Sequence, residues 1–137
     1  MKFLLTLLAI TALFFTSCKK DDSSTNAITT VDMKGTTWSG PAKTGPGGIV
    51  NVTVELTFNA DGTITGKLTS PASYDIAGTW NREANSNTVN MSFTVVSSPG
   101  AYIGKATLNA AGTKLENGTV INSANTDYNI TFNLTKM

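Results

Sequence analysis

Hydrophobic and polar residues alternate along most of the chain after residue 34. In the clearest stretch, residues 50–58, Val, Leu and Phe occupy the even positions and Asn, Thr and Glu the odd ones. A period of two is typical of a strand with one buried and one solvent-facing side. The same alternation predicts further strands with these inward positions: Ile64, Gly66, Leu68; Tyr74, Ile76, Gly78, Trp80; Val89, Met91, Phe93, Val95; Tyr102, Gly104, Ala106, Leu108; Tyr128, Ile130, Phe132, Leu134.

Short turn motifs separate these strands. Residues 59–62 (NADG) and 109–112 (NAAG) are near copies, and each ends on a glycine suited to the positive φ of a hairpin turn. Weaker strand patterns at 36–40 and 113–121 bring the predicted count to eight. The segment 41–48, rich in Pro and Gly, is predicted to be a loop. After residue 17 the sequence shows no helical periodicity.

The short connections favour an all-β, eight-stranded, up-and-down antiparallel barrel. Each connection is short enough for a hairpin, so consecutive strands are expected to pair. A β-sandwich is the alternative, but a Greek-key sandwich needs a longer crossing between sheets. Closure removes the two open edges, and the inward glycines at 66, 78 and 104 would permit tight coiling.

The N-terminal segment has a different pattern. Lys2 is followed by an apolar run over residues 3–15, and two small residues then precede Cys18, the only cysteine. The run is too short for a stable membrane span and predicts a secretory signal over residues 1–17. Its ending resembles the lipobox of bacterial lipoproteins, which implies cleavage before Cys18 and lipid on its sulfur and new amino group. The alternative is an ordinary signal that happens to end at a cysteine.

The residues after Cys18 predict a tether. Residues 19–22 (KKDD) are similar to the export signal of Bacteroidetes-type surface lipoproteins, which implies an outer-membrane location with possible display on the cell surface. A charged, solvated tether start explains the same residues equally well. Residues 19–33 lack aromatic side chains and contain few apolar ones, so 18–33 is predicted to be a lipidated, flexible tether before a domain at 34–137.

A second resemblance concerns that domain. The motif Gly35-Thr36-Thr37-Trp38 resembles the first-strand Gly-x-Trp signature of lipocalins and the Gly-Thr-Trp of avidins. With the strand count, it makes residues 34–137 similar to the lipocalin-like domains of bacterial lipoproteins. The resemblance implies a structural role for Trp38, packed across one end of the barrel. The polar residues do not match the avidin biotin site, so biotin binding is not implied.

Composition narrows the chemistry. Removing residues 1–17 removes only Lys2 among the charged residues, so the remaining basic and acidic side chains balance and nucleic acid is not an expected partner. The chain has no histidine, and lipid would occupy its one thiol. The carboxylates of the domain fall on solvent-facing strand positions or turns rather than in one cleft. We therefore expect no enzyme, metal site or cofactor.

Binding is the remaining class of function. The residues expected to offer ligand contacts inside the barrel are Trp38, Tyr74, Trp80, Tyr102, Asn117 and Tyr128. Ordinary core packing is the favoured explanation of the aromatic residues, because the barrel must bury apolar side chains. Asn117, which together with Thr119 interrupts the apolar phase between Leu115 and Ile121, is either a ligand contact or part of a bulge at Gly118 that turns it outward.

Two functions therefore stay open from the sequence. The first is a membrane-anchored carrier that holds a small apolar ligand in the barrel mouth. The second is a non-enzymatic surface module with a packed interior, which contacts protein or glycan through residues 41–48 and 97–101. The sequence does not specify an oligomeric state.

Overall fold

The computed structural model describes residues 27–137, which form a closed all-β barrel of eight antiparallel strands in sequence order. The signal segment, Cys18 and the first part of the tether lie outside the described residues. The strands are β1 (Thr36–Thr44), β2 (Val50–Phe58), β3 (Thr63–Ser70), β4 (Ala72–Arg82), β5 (Thr88–Val95), β6 (Tyr102–Leu108), β7 (Lys114–Asn122) and β8 (Ile130–Lys136). Two 3₁₀ turns, Pro46–Gly48 and Thr126–Tyr128, complete the secondary structure.

Each strand pairs with its sequence neighbours, and β8 returns to β1. The closing pairs include Ala42 with Phe132 and Lys43 with Thr131. This closure confirms the predicted barrel and excludes the sandwich alternative. Within residues 27–137 there is no helix long and apolar enough to cross a bilayer.

The interior of the barrel is filled by apolar side chains from all eight strands. The largest fully buried ones include Trp38, Phe58, Leu56, Ile64, Leu108 and Leu115. Outward positions are mostly Thr, Asn and Lys, as the alternation predicts. Because protein interiors pack at the density of organic crystals, a lumen lined this way leaves little room for a ligand at its centre.

Glycines at three inward positions let the strands coil tightly. A Cβ atom on Gly66, Gly78 or Gly104 would collide with a backbone oxygen of the adjacent strand, from Glu55, Ser92 or Thr119 respectively. Bulky side chains from neighbouring strands fill the space that these glycines leave, as where Gly66 lies between Leu56 and Ile76. The predicted role of the inward glycines is confirmed.

The described part of the predicted tether packs on the barrel, which corrects the boundary at residue 34. Met33 is only 1% exposed and inserts among the core side chains, and Thr29 is also buried. The Arg82 guanidinium donates to the carbonyls of Thr29 and Val31. Asn87 accepts from the Thr29 amide at 2.9 Å and donates to the Ala27 carbonyl at 2.9 Å. The composition of residues 27–33 did not predict this packing, because Met33 is the only large apolar side chain of the segment that is fully buried.

A bulge in β7 reverses the phase of the strand. The register shifts between Leu115 and Gly118, and Asn117 adopts a positive φ of 53°. Asn117 and Thr119 consequently face solvent, while Gly118 and Val120 face the core. The predicted inward orientation of Asn117 is therefore wrong, and the bulge alternative is confirmed.

Two strand boundaries also differ from the sequence prediction. β1 continues through Pro41 to Thr44, although 41–48 was expected to be a loop. Pro41 is tolerated because the pairing with β8 skips Gly40 and Pro41, where an amide hydrogen is not needed. Tyr128 was expected inside β8, but β8 begins at Ile130 and Tyr128 lies in the preceding 3₁₀ turn, 45% exposed.

We predict that Met33→Ala lowers the free energy of unfolding by about 2–5 kcal/mol, because it opens a cavity under the N-terminal segment. The matched control is Ile28→Ala, since Ile28 lies on the same segment but is 56% exposed. Urea denaturation followed by tryptophan fluorescence measures both variants. Equal, small losses in the two variants would show that residues 27–33 do not contribute to the core.

Candidate functional site

The barrel has two chemically different ends. At the closed end, residues 27–35 and the turns 59–62, 83–87 and 109–113 cover the core. At the open end lie the connections 45–49, 71, 96–101 and 123–129. The six sequence-predicted ligand residues divide among these ends and the outer wall. Only the three tyrosines lie together.

Tyr74, Tyr102 and Tyr128 line a cavity of about 330 Å³ at the open end, which we call the mouth cavity. The size is at the lower limit of small-molecule sites. Its apolar lining comes from Leu68, Val95, Val96, Pro99 and Ile130, and its remaining polar groups from Thr44, Ser97 and Ser98. Every lining residue is uncharged.

Tyr102 is the most firmly held of the three tyrosines. Its ring is buried and stacks on Phe93, with centroids 5.5 Å apart and an interplanar angle of 14°. Its hydroxyl lies 2.8 Å from the Ser98 Oγ. Tyr74 is half-buried against the core, and Tyr128 stands on the rim. The buried ring of Tyr102 therefore forms a fixed wall of the cavity, whereas Tyr74 and Tyr128 form a more exposed wall.

The loops around the mouth cavity are held by Asn122, a residue that sequence analysis missed. Asn122 is buried, and its side chain accepts from the amides of Ala124 and Asn125 and donates to the Pro99 carbonyl at 3.0 Å. This joins the β5–β6 loop to the β7–β8 loop. The sequence did not indicate this role, because an uninterrupted alternation along β7 would place Asn122 on the outer face of the barrel. The bulge places it on the inner face.

Trp38 and Trp80 belong to the closed end rather than to the mouth cavity. Trp38 is fully buried, and its indole N–H donates to Thr36 Oγ1 at 2.7 Å. The Trp80 indole donates to the Asn59 carbonyl at 3.1 Å, and its ring packs edge-on against Phe58 at 5.2 Å. Both indoles already have protein partners, so their positions are those of core residues. Trp38 packs at one barrel end, as the Gly-x-Trp resemblance implies.

Asn117 lies on the outer wall, away from the mouth cavity. It borders a hollow of about 720 Å³ formed by outward side chains of β1, β2, β7 and β8, including Lys43, Asn51 and Asn133. A second outer hollow of about 600 Å³ lies over β4–β7, with Ile103 and Ile121 among its lining residues. Both are larger than the mouth cavity, and both lie on the outer wall of the barrel.

The carboxylates are dispersed over the surface. The side chain and amide of Thr63 donate to Asp61 Oδ1 at 2.7 and 2.9 Å, and these hydrogen bonds lower the pKa of Asp61 below its ordinary value. Asp61 lies in a closed-end turn, where these bonds fix the hairpin. Among residues 27–137, no cluster of three potential metal-ligating side chains occurs.

Comparisons with protein-family models, with curated proteins and with solved structures find no match for this chain.

We predict that Asn122→Ala lowers the free energy of unfolding by about 1–3 kcal/mol, because loop amides buried beside it lose their acceptor. Asn51→Ala is the control, since Asn51 is exposed on the outer wall. Hydrogen exchange is expected to accelerate at Ala124 and Asn125 in the Asn122 variant alone. Unchanged exchange at these amides would contradict the role assigned to Asn122.

Proposed function

We propose that the protein is a lipocalin-like lipoprotein that binds a small, mostly apolar molecule in its mouth cavity. On this proposal it is held to the bacterial outer membrane by lipid on Cys18, and the residues after Cys18 direct it to the cell surface. The observation that carries the binding proposal is the convergence of Tyr74, Tyr102 and Tyr128 on one uncharged cavity. Aromatic side chains with polar tips can cover an apolar ligand and orient its few polar atoms.

The packing of the barrel limits the ligand. Phe93, Phe132 and Ile76 are buried within the barrel, which favours a shallow binding mode over a deep one. Since no charge lines the cavity, burial of an ionic ligand there would have no compensating partner. The proposed ligand is therefore neutral and small enough for a cavity of about 330 Å³.

The second candidate is a surface module that contacts another protein or a glycan through its loops. The packed lumen favours this alternative. Its two proposed contact segments, 41–48 and 97–101, both reach the open end. Thr44 of the first donates to the Tyr128 carbonyl, and the Pro99 carbonyl of the second accepts from the Asn122 side chain. The two candidates therefore use the same end of the barrel and differ in what occupies it.

We predict that protein purified from its own host retains a small molecule in native mass spectrometry, and that Tyr74→Ala or Tyr128→Ala weakens its affinity at least tenfold. Loss of an aromatic wall removes about 1.5–3 kcal/mol of burial, which corresponds to a factor of ten or more. Ile28→Ala, at the closed end, is the control. No retained molecule, together with no thermal shift across a panel of lipids and metabolites, would favour the surface module.

We predict that the mature protein begins at Cys18 and carries acyl groups on its sulfur and amino terminus. Several acyl chains together give stable membrane attachment. Mass spectrometry of the N-terminal peptide tests this, and Cys18→Ser is expected to move the protein from the membrane to the soluble fraction. An unmodified Cys18 would remove the anchor from the proposal. Protease treatment of intact cells tests exposure at the surface.

A further inference from the structure

The exposed large hydrophobic side chains are concentrated near the open end of the barrel. Ile49 is 77% exposed and Val96 60% exposed, and both lie in loops at this end. Val50 and Tyr128 are also exposed there, and the cross-strand pair Ile103–Ile121 extends the apolar surface down the adjoining wall. We call this set the apolar rim: Ile49, Val50, Val96, Ile103, Ile121 and Tyr128. Six of the eight exposed large hydrophobic residues among residues 27–137 belong to this rim, so their exposure is concentrated and not scattered over the surface.

Hydrogen bonds connect the loops of the open end to neighbouring strand ends. Thr44 Oγ1, at the end of β1, donates to the Tyr128 carbonyl in the β7–β8 loop at 3.1 Å. The Asn122 side chain, at the end of β7, donates to the Pro99 carbonyl in the β5–β6 loop. Three rim residues, Ile49, Val96 and Tyr128, lie in these connections, and Val50, Ile103 and Ile121 lie on the adjoining strands.

Charge is nearly absent from this end. The open-end connections, residues 45–49, 71, 96–101 and 123–129, contain one charged residue, Asp127. The closed-end segments, residues 27–35, 59–62, 83–87 and 109–113, carry Asp32, Lys34, Asp61 and Glu83. An end with one charged residue leaves water at a lower electrostatic cost than an end with four.

We infer that the apolar rim docks on the surface of a lipid bilayer. Ile49, Val96 and Tyr128 are exposed in the connections of this end, so they can enter the region between headgroups and acyl chains without a matching pocket on a partner. Exposed aliphatic side chains with a tyrosine beside them suit that region, where the aromatic ring stays at headgroup level. Loop backbone groups remain hydrated because penetration is shallow.

The mode of attachment distinguishes a bilayer from a second copy of the chain. A stable dimer interface buries about 800 Å² of matched surface from each partner. Affinity for a bilayer depends instead on insertion of a few apolar side chains.

Docking of the apolar rim would also place the mouth cavity next to the bilayer. Only this link between docking and ligand binding rests on the proposed function. Val96 and Tyr128 belong both to the rim and to the cavity lining. An apolar ligand dissolved in a bilayer would pass from lipid to cavity along these side chains. The docking surface itself does not require a ligand.

The test is flotation with phosphatidylcholine vesicles, using the chain from residue 18 onward with Cys18→Ser so that no acyl group contributes. We expect the protein to float, and Ile49→Ser combined with Val96→Ser to lower its partition coefficient at least tenfold. The matched control is Ile28→Ser combined with Met137→Ser, which removes two exposed apolar side chains at the closed end. This control is expected to change partitioning less than twofold.

Binding is expected to be insensitive to salt and to added phosphatidylglycerol, since the rim carries no basic residue. Failure to float, equal losses in rim and control variants, or binding only to anionic vesicles would overturn the inference. Rim-dependent dimerisation in sedimentation without vesicles would assign the rim to a second copy instead. Flotation without a retained ligand would support the rim and contradict the carrier; a retained ligand without flotation would contradict the rim alone.

Discussion

Closure of β8 onto β1 determines how every strand of the barrel pairs and packs. In a closed antiparallel barrel each strand has neighbours on both sides, and the alternation of every strand must place its apolar residues inside at the same register. The bulge in β7 shows how strict this requirement is. Leu115 and Val120 are five residues apart, so a regular strand would place them on opposite faces. One extra residue at Asn117, in a left-handed conformation, brings both into the core.

The same constraint explains where a site can form. Eight strands enclose a lumen just wide enough to be filled by side chains, and here Trp38, Phe58 and Leu56 fill it. The closed end is sealed by Met33, which leaves the open end as the place where the interior meets solvent. There the inward phase of β4 and β6 supplies Tyr74 and Tyr102, while a turn outside the sheet supplies Tyr128. The candidate site therefore lies where the apolar core reaches solvent at the open end of the barrel.

The sequence predicted the fold well because the evidence for it is local. The alternation at residues 50–58 and the two near-identical NxxG turns each report on a few neighbouring residues. The candidate site was predicted only in part because its assembly is not local. Asn117 and Asn122 exchanged faces through a bulge that only the pairing of β7 with β6 and β8 determines. Trp80 lies near the end of β4 and Tyr102 at the start of β6, so their separation follows from the strand order and not from the inward alternation. Met33 is buried by packing against strands that follow it in the sequence, so the residues around it did not predict its burial.

The even number of strands adds a final consequence for orientation. An up-and-down barrel with eight strands returns the chain to the end where it started, and the Met137 amide accordingly donates to the Thr37 carbonyl at 2.9 Å. Residues 27–33 approach the same end and are held there by Arg82 and Asn87. Any attachment upstream of residue 27 must therefore reach the barrel from the charged, closed end. The open end, with its cavity and exposed loops, lies at the opposite end of the barrel from residue 27.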